Sequence, residues 1–258
     1  VSLPFRLLAP GLGCGDPAPP GWVGAASLDL VVLVGLTGVG KTTLLAALGA
    51  LPGALVLPDR RRLTDAVILA GPAGAPPPSD RAERFAATRR FAAAEPGGMA
   101  AVLAGLRLAP DLARGPVLFD GLRGEAEVRH AAAHLPRARF IALGAPNALR
   151  LERLLGRADP FDRAAAADAE DPLAAAAGLL APAEVAALRR RLATGTLAPR
   201  ALGEKLAILA AEQRGYDPER TVSALDAAAP ERRLVIDTAR LGPAATAAAA
   251  KAFIAARR

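Results

Sequence analysis

The chain has 258 residues, enough for a substantial hydrophobic core in one α/β domain with or without an insertion, and its lone cysteine, Cys14, excludes a disulfide framework and a zinc site. Thirty-two Lys and Arg against 25 Asp and Glu give a net charge of +7, which suits an anionic partner; with aromatics at 3% there is no base-stacking platform, so phosphorylated metabolites are favoured over nucleic acid. Outside alanine-rich helical stretches there is no run of 18 apolar residues, and no basic region leads into an apolar one, so the expectation is a soluble, untargeted, cytoplasmic protein with no membrane contact.

Residues 1–28 carry five prolines and five glycines without sustained periodicity and read as a flexible arm. A strand over about 29–34 then enters Gly35-Leu36-Thr37-Gly38-Val39-Gly40-Lys41-Thr42, the G-x-x-x-x-G-K-T pattern, and an apolar helix over about 41–50 follows. In that strand–loop–helix context the pattern is a P-loop, and it implies ATP as ligand. Backbone amides from Gly35, Thr37, Gly38, Val39, Gly40, Lys41, Thr42 and Thr43 would cradle phosphates at a helix N-terminus, with Lys41 on the β and γ phosphates and the Thr42 hydroxyl on Mg²⁺. Lys41 is one of only three lysines in the chain.

Ala54–Leu57 reads as a short buried strand ending at Pro58-Asp59. A Pro/Gly-rich loop at about 71–78 precedes a helix opened by an Asp80-x-x-Glu83 capping pattern, and a second helix is expected from Met99 to about Leu108. A third strand, 116–121, ends in Asp120-Gly121, and a helix over 125–135 follows it. A fourth strand at 139–143 leads to a helix from Asn147 to Leu155. Residues 156–230 give no strand signal and read as alanine-rich helices, with Pro182 and Pro199 as opening residues. A fifth strand at 233–238 and a helix at about 243–256 complete the chain. The alternation predicts a three-layer α/β/α P-loop NTPase fold with a five-stranded parallel sheet and a helical insertion before the last strand; ligands then bind beyond the strands' carboxyl ends.

Asp120 stands where a carboxylate would hold Mg²⁺, and Gly121 follows it in place of the glutamate with which many P-loop ATPases polarise water. No N/T-K-x-D guanine motif and no LSGGQ-like signature is present. His130 and His134, with Glu127 one turn earlier, lack the third ligand group a metal site requires.

The segment Asp120-Gly121-Leu122-Arg123, Ala145-Pro146 after the fourth strand, the spacing of Arg150, Arg153 and Arg157, and Val235-Ile236-Asp237-Thr238 together resemble the nucleotide and nucleoside kinases, including adenylate-type and dephospho-CoA kinases. The resemblance covers roughly 29–163 and 232–257. It implies a Mg-ATP-dependent kinase that transfers the γ-phosphoryl group to a phosphorylated or otherwise anionic small acceptor, with an acceptor segment at about 60–115 and a lid at 150–163. Arg150 and Arg153 would then act on the ATP phosphates, Arg60, Arg84 and Arg123 on the acceptor, and Asp59 as base if the acceptor is an alcohol. Residues 164–230 have no counterpart in a minimal nucleotide kinase. They would pack over the site or make a homodimer contact, and they leave open an AAA-type ATPase or ATP-driven switch acting on a protein or nucleic acid.

Overall fold

A computed structural model describes residues 4–70, 81–112, 114–157 and 171–256. The expected loop at 71–78, Asp80 of the capping pattern, and the lid residues 158–163 lie outside them.

Five strands, β4 (Leu30–Val34), β5 (Leu55–Val56), β7 (Val117–Leu122), β8 (Arg139–Gly144) and β9 (Arg233–Asp237), form a parallel sheet in the order β5-β7-β4-β8-β9. Their runs of Val, Leu and Ile are apolar at successive positions because both faces are covered. On one face Val31, Leu33, Leu118 and Ile141 pack with Leu44 and Leu48 of α1 (Lys41–Gly49) and Ala250 and Ile254 of α10 (Pro243–Ala255). On the other, Leu30, Val32, Phe119 and Phe140 pack with α4 (Met99–Ala104), α5 (Gly124–His134) and α9 (Pro218–Ala228). The result is a three-layer α/β/α arrangement. β5, expected to be buried, lies at the sheet edge, and Val56 is exposed.

The N-terminal segment departs from the expected flexible arm. Residues β1 (Arg6–Ala9), β2 (Leu12–Cys14) and β3 (Val23–Gly24) join β6 (Leu106–Leu108) in an antiparallel sheet ordered β1-β2-β6-β3. The helix expected to run to Leu108 stops at Ala104, because Leu106 and Leu108 alternate with Arg107 into the core and pair with β2 and β3. Gly13 is required within β2, since a Cβ there would lie 2.4 Å from the Phe5 ring. Cys14 is buried in this layer, and burial raises its thiol pKa to about 11.

Between β8 and β9 lie α7 (Pro182–Ala193), α8 (Pro199–Gly215) and α9, with Pro182 and Pro199 opening their helices as expected. Leu188, Leu202, Leu206 and Leu209 form a separate core with Leu151 and Leu154 of α6 (Asn147–Leu155). The apolar faces read as material for a dimer contact therefore close on one another within the chain.

Candidate active site

One cavity of about 700 Å³ lies at the carboxyl edge of the parallel sheet, lined by the end of β7 and by the segments that follow all five strands. The loop after β4 supplies Thr37, Gly38, Gly40 and the start of α1. The segment after β5 supplies Asp59, Arg60 and Arg61; β7 supplies Asp120 and Gly121, and Arg123 follows it; α6, after β8, supplies Arg153 and leads to Arg157; and the segment after β9 supplies Thr238, Leu241, Pro243 and Thr246.

The loop is held close to its neighbours. Gly38, at φ +84°, lies against the Arg150 backbone, where a Cβ would come within 3.0 Å of its carbonyl oxygen. Gly40, also at positive φ, turns the chain into α1, whose first residues are Lys41, Thr42 and Thr43. Lys41 Nζ donates to the Leu36 carbonyl at 2.9 Å and lies 3.9 Å from Asp120 Oδ1, beyond hydrogen-bonding reach. Burial is the main cause that lowers the Lys41 ammonium pKa to about 8; Asp120 and Glu212 oppose it, and Arg123 and Arg150 add to it. Asp120 is shifted the other way, upward, again chiefly by burial and against the pull of Lys41 and Arg123. Its buried Oδ1 has no hydrogen-bond partner. Burial thus works against the charged form of both members, and their mutual attraction across 3.9 Å only partly offsets it. With the Thr42 hydroxyl at the same cavity wall, Asp120 fits Mg²⁺, which takes one or two protein oxygens and completes its shell with water and phosphate.

Other expected residues hold the site together. Arg150, expected to close over phosphates, is 3% exposed and points inward: Nε donates to the Thr37 carbonyl at 2.8 Å, Nη1 to Asn147 Oδ1 at 2.8 Å, and Nη2 to Glu212. It falls inside because α6 docks directly on the loop. Arg153 lines the cavity but also donates to the Gly38 carbonyl at 3.1 Å and to Thr238 Oγ1 and carbonyl at 2.9 Å each, tying the loop to the end of β9. Gly35 and Val39, of the same loop, do not line this cavity and instead line a second, mostly apolar one of about 190 Å³.

At the opposite end, Arg60 donates both Nη groups to Glu127, each at 2.7 Å, and Nη1 also to the Gly121 carbonyl. Arg84 is bound to Asp65 at 2.5 Å and is not among the lining residues. Asp59 Oδ1 caps α2 (Arg60–Leu63) by accepting from the Arg62 amide at 2.8 Å, and its side chain faces the cavity. Arg123 lines the cavity and is tied by Nη1 to Glu212 at 3.1 Å.

Sequence reasoning missed Glu127 and Glu212, the two carboxylates that hold these arginines. Glu212 sits in an alanine-rich helix 175 residues from Thr37, and no local spacing marks it. His130 and His134 stack on each other with ring centroids 4.0 Å apart, and no group of three metal-ligating side chains occurs among the described residues. Nor is any described helix long and apolar enough to cross a membrane.

No protein-family model matches the chain, and no curated protein matches it by sequence. A solved structure, an unliganded sugar kinase from Janibacter sp. HTCC2649, is similar at 14% identity over 88% of this chain and 94% of that one, with a TM-score of 0.40. A likeness of that size assigns this chain no activity.

Proposed function

We propose that this chain is a P-loop phosphotransferase that uses Mg-ATP to phosphorylate a small, anionic acceptor. The observation that carries the reading is the electrostatics of the Lys41–Asp120 gap. A buried ammonium and a buried carboxylate oxygen that receives no hydrogen bond face one cavity, 3.9 Å apart in a loose ion pair, at the mouth of a G-x-x-x-x-G-K-T loop. A metal-bound polyphosphate is the ligand whose charges complement both.

In this reading the cavity divides along its length. Arg153, Arg157, Thr238 and Leu241 receive the nucleoside end, Lys41 and the loop amides from Gly38 onward receive the phosphates while the Thr37 amide, expected among them, is taken by Glu212, and Asp59, Arg61 and Arg123 face the acceptor. Mg²⁺ held by Thr42 and Asp120 would neutralise charge on the bridging phosphate oxygens. Lys41 would follow the transferred phosphoryl group, and Arg123 would grip acceptor or phosphoryl oxygens with its fork of donors. If the acceptor is an alcohol, Asp59 takes its proton. Arg60 serves the site indirectly, since Glu127 occupies both its Nη groups and leaves it to brace Gly121.

The test is transfer from γ-labelled ATP with Mg²⁺ to nucleoside monophosphates, nucleosides, dephospho-CoA and phosphorylated or free sugars, beside an acceptor-free control and Lys41→Ala. Label on an acceptor, lost in the variant, supports the proposal. Lys41-dependent phosphate release in every reaction, without transfer, would replace it with a hydrolase or ATP-driven switch. Unchanged ATP binding by Lys41→Ala would remove the nucleotide from this loop altogether.

A further inference from the structure

α8 does not line the main cavity, yet one of its side chains reaches the loop that does. Glu212 is 7% exposed, and its Oε1 accepts from the Thr37 hydroxyl at 2.6 Å and from Arg123 Nη1 at 3.1 Å. Both of its oxygens lie 3.1 Å from the Thr37 amide nitrogen, and Oε2 accepts from Arg150 Nη2. Arg150 in turn donates to the Thr37 carbonyl. Amide, carbonyl and hydroxyl of Thr37 are therefore all fixed by side chains distant in sequence.

Arg123 is held at both ends by carboxylates. Its amide donates to Glu127 Oε2 at 2.8 Å, and its guanidinium donates to Glu212. Its Nε is buried and has no hydrogen-bond partner. A counter-charge for Arg150 alone would not need to reach Thr37 and Arg123 as well.

We propose that Glu212 is a positioning residue for phosphoryl transfer: from the helical unit it sets the Thr37 peptide and aims Arg123 into the cavity. This rests on the phosphotransferase reading above. An arginine already fixed in its bound orientation loses less rotamer freedom when phosphate arrives, and its remaining donors stay available. The helical unit thereby becomes part of the reaction site without lining it.

The test uses the full chain and four variants: Glu212→Gln, Glu212→Asp, Arg123→Ala and the Glu212→Gln/Arg123→Ala double. Each is assayed for Mg-ATP Kd by a fluorescent analogue and for kcat and acceptor KM, with thermal unfolding as a folding control. Glu212→Gln is expected to lower kcat by about tenfold to a hundredfold, the scale of a small misplacement of a reacting group, a larger change than any rise in the Mg-ATP Kd. The double variant is expected to be no worse than the worse single, because both act through one contact.

Glu212→Asp retains the charge opposite Arg150 but withdraws it by one methylene, so it can fold where Glu212→Gln fails, and its kcat is still expected to fall. Wild-type kcat in both Glu212 variants, or multiplicative losses in the double, would overturn the positioning role while transfer lost in Lys41→Ala leaves the phosphotransferase intact. Absence of transfer by the wild-type chain would overturn both.

Discussion

Nucleotide affinity should fall steeply above pH 8, because the lysine meant to meet the phosphates is held near that pKa in the empty protein. A triphosphate favours the ammonium form and returns Lys41 toward its ordinary 10.5. For a rise from about 8 to the ordinary lysine value of 10.5 on binding, linkage predicts an affinity loss of tens of fold between pH 7 and 10, about 2 to 3 kcal/mol. It also predicts uptake of about 0.9 proton per nucleotide at pH 9, where ATP itself is fully ionised. Isothermal titration calorimetry in buffers of different ionisation enthalpy measures both quantities.

The stability effect has the opposite sign. Lys41 is depressed in the folded chain, so the unfolded chain holds more protons between pH 8 and 10.5, and raising the pH through that window relieves a cost of about 3 kcal/mol. Lys41→Met should therefore unfold at a higher temperature than wild type below pH 8 and lose that lead as the pH approaches 10.5. A flat affinity from pH 7 to 10 with no proton uptake at pH 9 would refute the reasoning.

Asp59 can be divided between its two roles by one pair of variants. Asn preserves an N-cap acceptor, so Asp59→Asn should cost a few tenths of a kcal/mol in urea unfolding while Asp59→Ala costs about 1 kcal/mol. If Asp59 is the base for an alcohol acceptor, both should lose about 10²–10⁴ in kcat, and full activity in Asp59→Asn would leave it as a cap alone. Cys14, 1% exposed and with its pKa raised to about 11, should react with a thiol reagent at pH 7.5 no faster than the chain opens. Stoichiometric labelling within seconds under native conditions would contradict the packing of the N-terminal sheet.

What was legible in the sequence was what local pattern encodes. Each of the five parallel strands is a run of apolar residues ended by glycine, proline or aspartate, and helices between and after them begin at recognisable residues such as Pro182, Pro199 and Pro243. The small antiparallel sheet was not legible. Its strands are two to four residues long, and β2 and β3 meet β6 only after a separation of more than 80 positions, so no local period announces the pairing. Leu106-Arg107-Leu108 continues a helical stretch by composition, and only the tertiary partners make it a strand.

The site divides in the same way, and the division says which arginines matter. Sequence assigned Arg84 first, then Arg60 and Arg123, to the acceptor and Arg150 and Arg153 to the ATP phosphates, from segment position, helical spacing and family resemblance, with no sight of their carboxylate partners. Their partners make them unequal: Glu127 occupies Arg60, Asp65 binds Arg84 away from the cavity, and Glu212 with two further acceptors encloses Arg150. Arg150 is the one of these buried on its carboxylate, so turning it to a substrate would leave Glu212 unpaired at a cost of several kcal/mol, whereas the half-buried Arg60 and Arg84 are held by direct ion pairs of 2.7 and 2.5 Å. Arg123 differs, because its tie uses one Nη while the side chain still opens on the cavity. The carboxylates therefore decide which cations are tied down, and the one that holds Arg123 comes from the helical unit between β8 and β9, the part of the chain for which the family resemblance supplied no role.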